Sequence, residues 1–178
     1  MHYRRANIKG GTYFFTLNLA NRRERLLTDE IDNLRMAINT VKKKHPFQLN
    51  AMVILPDHLH ALLTLPPNDN DFSTRWGLIK SNFSRQLPTG EKINKSRQTK
   101  GERGIWQRRF WEHLIRDEKD YENHVNYIHY NPVKHQHVKQ AVEWPYSTIH
   151  DYISKGLLSN DWGSHVDDIQ NINLGERS

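Results

Sequence analysis

Apolar residues alternate with others along TYFFTLNLA, residues 12–20, and place Tyr13, Phe15, Leu17 and Leu19 on one face of a strand. Gly10 and Gly11 give it a flexible entry. The period then changes. In DEIDNLRMAINTVKKKH, Ile31, Leu34, Ile38 and Val41 recur at helical spacing. Thr28 stands where an N-cap belongs, the basic last turn suits the helix dipole, and Pro46 follows the end. FQLNAMVIL (47–55) and HLHALLTL (58–65) predict two strands, joined at Pro56-Asp57 as an antiparallel hairpin. A second helix through FSTRWGLIKSNFSRQL buries Trp76, Ile79, Phe83 and Leu87 and stops at Pro88. Residues 88–104 show no periodicity and predict a mobile loop, long enough to be functional. IWQRRFWEHLIR (105–116) predicts a fourth strand. The order β-α-β-β-α-β belongs to the α+β class, as a ferredoxin-like antiparallel sheet with helices packed on it.

One more helix follows, in DEKDYENHVNYIHYNPVKH. Asp117 can cap it, and Tyr121, Val125 and Ile128 form its core stripe. Pro132 should end it, because a residue before proline is pushed out of the helical region. Asp120, His124, Tyr127 and Asn131 make a second, polar stripe. Its plain explanation is a tyrosine at the edge of a core and an asparagine closing a helix. The HLH of the third strand raises a similar choice. Residues i and i+2 of a strand share a face, roughly 6.5–7 Å apart, so His58 and His60 lie side by side with Leu59 turned away. Such a pair suits backbone hydrogen bonds in a half-buried strand, or one shared metal ion.

Length changes the picture little: 178 residues fit one domain, over residues 1–158, with an acidic tail at 159–178. The absence of cysteine excludes thiolate metal sites and thiol nucleophiles and agrees with a reducing cytoplasm. With no apolar leader and no run near the ~18 residues of a membrane span, a cytoplasmic protein off the membrane is expected. Charge changes it more. A net charge of +6, a pI near 9.5 and 18 aromatic residues favour a polyanionic partner, nucleic acid first. Residues 75–109 hold ten Lys/Arg against two acids, and residues 141–178 reverse that balance.

Two neutral imidazoles and an amide oxygen can hold Mg²⁺ or Mn²⁺, a Lewis acid for a phosphate oxygen. A tyrosine can be the nucleophile, through a covalent intermediate that splits strand transfer into two displacements. The competing expectation is a non-catalytic ferredoxin-like nucleic-acid-binding module, which binds without metal and forms no adduct. RNP-type aromatic sequences are absent from the central strands, which counts against it.

HLH resembles the His–apolar–His signature of the single-tyrosine HUH transposases. FWEHLIRDEKDYENHVNYIHYNPVKH followed by WPYST resembles the REP-associated tyrosine transposases (RAYT) within them. YRRANIKGGTYFFTLNLANRR and DFSTRW do so too, so the likeness covers almost the whole chain. The resemblance implies that His58 and His60 are metal ligands, Asn131 a third, polar ligand and Tyr127 the nucleophile on the added C-terminal helix. It further implies cleavage and rejoining of single-stranded DNA at hairpin-forming REP-like palindromes, through a 5′-phosphotyrosine, by a monomer. Tyr121 and Tyr130 are rival nucleophiles, one on the core stripe and one off the Asn131 face. His113, His129, His135 and His137 are expected at the polar surface or on phosphates. Trp106, Trp111 and Trp144 are candidates for base stacking, with Trp111 the one favoured for the core. Arg4, Arg5 and Lys9, and further on Arg75, Arg108 and Arg109, are the candidate DNA contacts.

Overall fold

A computed structural model of the protein describes residues 7–164; Arg4, Arg5 and most of the acidic tail lie outside the described residues. Four strands, β1 (Thr12–Asn18), β2 (Gln48–Ile54), β3 (His58–Thr64) and β4 (Trp111–Leu114), form a sheet of order β2-β3-β1-β4. Every neighbouring pair is antiparallel, which is the ferredoxin-like arrangement. Alternation along β1 and β3 divides the core in two. Tyr13, Phe15, Leu17, Leu59, Ala61 and Leu63 face α2 (Ile31–Lys44) and α3 (Phe72–Arg85), which bury Leu34, Ile38, Val41, Trp76, Ile79 and Phe83 against them. The opposite face carries Phe14, Ala51, Val53 and Leu62, covered by Val125, Tyr127 and Ile128 of α5 (Glu118–Lys134).

Several expectations are corrected. Thr28 caps nothing: it lies in a four-residue turn, α1 (Leu26–Asp29), and its hydroxyl donates to the Arg25 carbonyl. The segment 88–104 holds a short helix, α4 (Lys95–Thr99), and is tied back to α3. Arg103 ties it, donating to the carbonyls of Ser84, Leu87 and Pro88 and pairing with Glu91. The fourth strand is four residues long; Trp106 reaches the sheet through a lone bridge to Leu19. Helix α5 runs through Pro132, because Ile128, Asn131 and Pro132 are all buried and packing outweighs the lost N–H. It closes on Gln136, whose left-handed φ of 59° lets the His137 N–H reach the Pro132 carbonyl.

WPYST closes the open edge of the sheet. The Ile54 N–H donates to the Tyr146 carbonyl, and Thr148 bonds both backbone groups of Met52, so β2 offers no bare edge there.

Candidate active site

Helix α5 and the residue that caps its end pack along β3. Tyr127 stands against His60, with ring centroids 5.2 Å apart, and His135, eight residues on, stands against His58 at the same 5.2 Å. His58 and His60 are themselves 5.0 Å apart, centroid to centroid. Asn131 lies on the helix between these two contacts. It is fully buried, and neither its Oδ1 nor its Nδ2 finds a hydrogen-bond partner among the described residues. An orphaned buried amide costs about 1–3 kcal/mol, a cost that a bound ligand would relieve.

A neighbouring strand fixes one imidazole and the turn before β3 fixes the other. His60 Nδ1 is 2.8 Å from the Thr16 hydroxyl of β1. His58 Nδ1 is 2.7 Å from Asp57 Oδ1, and Asp57 is also paired with Arg22. Burial opposes the Asp57 charge, but hydrogen bonds from His58 and Arg22 outweigh it and hold the carboxyl below the usual range. Each ring thus has Nδ1 engaged, the arrangement that orients Nε2 toward a ligand. Tyr127 is buried; Lys134 Nζ lies 3.4 Å from its hydroxyl and 4.8 Å from its ring centroid. A cavity of about 300 Å³ opens beside His58, and Arg22, Arg23, Arg25, His135 and His137 contribute to its wall.

The other residues singled out fare differently. Lys9, Arg108 and Arg109 are exposed, Arg108 paired with Glu102. Arg75 is buried and bonded to Asp69 and to the carbonyls of His45, Pro46 and Asp71, so it clamps α3 and offers DNA no surface. The tryptophans reverse the expectation. Trp106 and Trp144 are core residues, whereas Trp111 is 53% exposed. Trp111 lies opposite Thr16, which lies opposite His60, so all three share the α5 side of the sheet. His129 is fully buried against the Thr148 hydroxyl, and burial pushes its pKa down to about 3. His113 turns inward to Asp120 at 2.9 Å. Tyr121, on α5, is half-buried against the core on that side of the sheet, and Tyr130 abuts Gly163.

Sequence reasoning missed Thr16, Arg22, Asp57 and Lys134. Asp57 directly precedes His58, which was a usable signal. Lys134 became relevant only because α5 continues past Pro132.

The family model for IS200-like transposases matches residues 9–131. The REP-associated tyrosine transposase of Escherichia coli (strain K12) is 49% identical over 175 residues, covering 98% of this chain and 96% of its own. A Haemophilus influenzae protein is 48% identical over 167 residues, 93% of this chain and 95% of its own. A solved REP-associated tyrosine transposase bound to a REP hairpin superposes with a TM-score of 0.81 at 48% identity, over 100% of this chain and 98% of that one.

Proposed function

The chain belongs to the IS200-like transposases and, within them, to the REP-associated tyrosine transposases, enzymes that act on DNA; from that premise we propose that it cleaves and rejoins single-stranded DNA beside hairpins through a covalent bond to Tyr127. The observation that carries this reading is the orphaned amide of Asn131, buried between Tyr127 and His135 on the helix face that meets His58 and His60. His58 and His60 through Nε2, with Asn131 through Oδ1, would hold a Mg²⁺ or Mn²⁺ ion, whose chemistry there is Lewis-acid polarisation of a phosphate oxygen. The engaged Nδ1 atoms and the unsatisfied amide fit that role.

The chain's own groups do the rest. Tyr127 Oη attacks the phosphorus, losing its proton to water. The P–O3′ bond breaks, and the 3′ oxygen takes a proton from water to leave as a free hydroxyl. The phosphodiester's energy is kept in the tyrosyl bond, so a 3′-hydroxyl can later attack and expel Tyr127. Lys134, 3.4 Å from Oη, offsets the negative charge on that oxygen as it departs. Arg22, Arg23, Arg25, His135 and His137 line the approach to His58 and suit phosphates. Lys9, Arg108 and Arg109 stand as outer contacts, and exposed Trp111 as a base platform. Tyr127 and the histidines meet within one chain, which supports a monomeric site. The relative solved on a REP hairpin supports hairpin DNA as substrate. A non-catalytic module that stacks bases on the open sheet face is disfavoured, since α5 covers that face. Among the described residues no helix is long and apolar enough to cross a membrane.

The test is incubation with a hairpin-bearing single-stranded oligonucleotide and Mn²⁺. The wild type should give a denaturation-resistant protein–DNA adduct. Tyr127→Phe should bind the oligonucleotide and give none, and His58→Ala or His60→Ala should lose cleavage while keeping the hairpin. An adduct of undiminished yield from Tyr127→Phe overturns the reading.

A further inference from the structure

We infer that His113, Asp120 and His124 form a second metal site, apart from the one at His58, His60 and Asn131 and suited to zinc. The inference does not depend on the proposed function. Strand β4 presents His113 on the face that α5 covers, opposite Phe14. Asp117 caps α5 by accepting from the Asp120 N–H, which fixes the turn that carries Asp120; His124 follows one turn later. A nitrogen from each histidine and a carboxylate oxygen all lie within 4.8 Å of one another. His113 Nε2 is 2.9 Å from Asp120 Oδ2, and His124 Nδ1 is 3.2 Å from Oδ1 and 2.7 Å from the Asp120 backbone carbonyl, a hydrogen bond it would exchange for the ion. Ligands about 2.0–2.1 Å from a tetrahedral zinc stand roughly 3.3 Å apart; each carboxylate oxygen is near that spacing from one ring, and the rings, stacked at 4.7 Å between centroids, would turn to share one ion.

The ligand set is sheltered, since His124 and Asp120 are both buried. Access remains. The His113 side chain is 29% exposed, which opens an entry from solvent. Arg116 Nε lies 3.0 Å from Asp120 Oδ2, but its side chain is 71% exposed and can swing into water as the ion enters. The Arg116 N–H, 3.1 Å from the same oxygen, stays as an outer hydrogen bond on the ligand. Two imidazoles and one carboxylate, with a water completing the shell, suit zinc better than Mg²⁺. The ion would staple the short edge strand β4 to the first turns of α5, just before Tyr127.

The test uses the full chain carrying His58→Ala and His60→Ala, stripped with chelator, dialysed against micromolar Zn²⁺ and assayed for bound metal by mass spectrometry. One zinc per chain is expected, and Co²⁺ in its place should give the visible bands of a tetrahedral site. Adding His113→Gln, at a half-buried edge position, should remove both signals with the far-ultraviolet circular dichroism unchanged. A double variant that binds no zinc overturns the inference without a further substitution. So does zinc that survives His113→Gln, which places the ion elsewhere. Neither outcome bears on the adduct at Tyr127.

Discussion

Asn131→Leu should make the metal-free protein more stable and its catalysis worse. The amide is fully buried with both polar atoms unsatisfied, and leucine has similar size without that burden. A buried unsatisfied polar group costs about 1–3 kcal/mol, and leucine's better helix propensity adds a few tenths. A gain of about 2 kcal/mol is therefore expected, or roughly 4–8 °C in Tm for a chain of this size. The assay is thermal unfolding followed by circular dichroism, first in chelator and then in saturating Mn²⁺. At about 100 times Kd a bound ion stabilises the native state by about 2.7 kcal/mol. The wild type should make that gain and the variant should make little of it, so the gap between them closes or reverses on adding metal. A variant less stable than the wild type in chelator would refute the claim that the amide waits for a ligand. An equal response of both to Mn²⁺ would refute its part in holding one.

Trp111→Ala should weaken single-strand binding by about 1–3 kcal/mol in fluorescence anisotropy with Tm unchanged, because the ring is 53% exposed beside the site; unaltered affinity would remove it as a base platform. Arg75→Met should cost about 3–5 kcal/mol in urea unfolding by leaving Asp69 and three carbonyls without their donor, while the folded variant binds DNA as before. A loss of affinity without a loss of stability would return Arg75 to the DNA surface. His129 has its folded pKa depressed to about 3, so its contribution is full above the ordinary value near 6.5 and is lost as pH falls from there toward 3. Between pH 7 and pH 5 the wild type should therefore lose about 2 kcal/mol more than His129→Gln in denaturant titrations, and parallel losses would show that His129 does not carry the acid sensitivity.

Local pattern revealed whatever local pattern decides. Alternation in TYFFTLNLA placed Tyr13, Phe15 and Leu17 on one face of β1, and the HLH spacing puts His58 and His60 on the α5 face. Helical spacing brought Tyr127 and Asn131 onto one stripe. What stayed hidden depends on residues far away in the chain. Arg75 looks like any surface arginine until His45 and Pro46, about thirty residues earlier, are seen to supply its acceptors. Trp106 and Trp111 exchanged places because the fourth strand is short: Trp106 is drawn inward beside Phe83, whereas Trp111 lies at the sheet's edge. Pro132 failed to stop α5 because the buried residues around it hold the turn together, and Lys134 reaches Tyr127 as a result. Thr16 and Arg22 orient the two histidines from outside β3, so no motif containing the histidines includes them.

The most direct measurement is to locate the covalent bond. The protein is incubated with a hairpin-bearing single-stranded oligonucleotide and Mn²⁺, denatured and digested with nuclease and protease, and the peptides are sequenced by mass spectrometry. The account predicts one modified peptide, with the nucleotide remnant on Tyr127 through a 5′ phosphate. A remnant on Tyr121 or Tyr130, or cleaved DNA with no modified tyrosine, would contradict it.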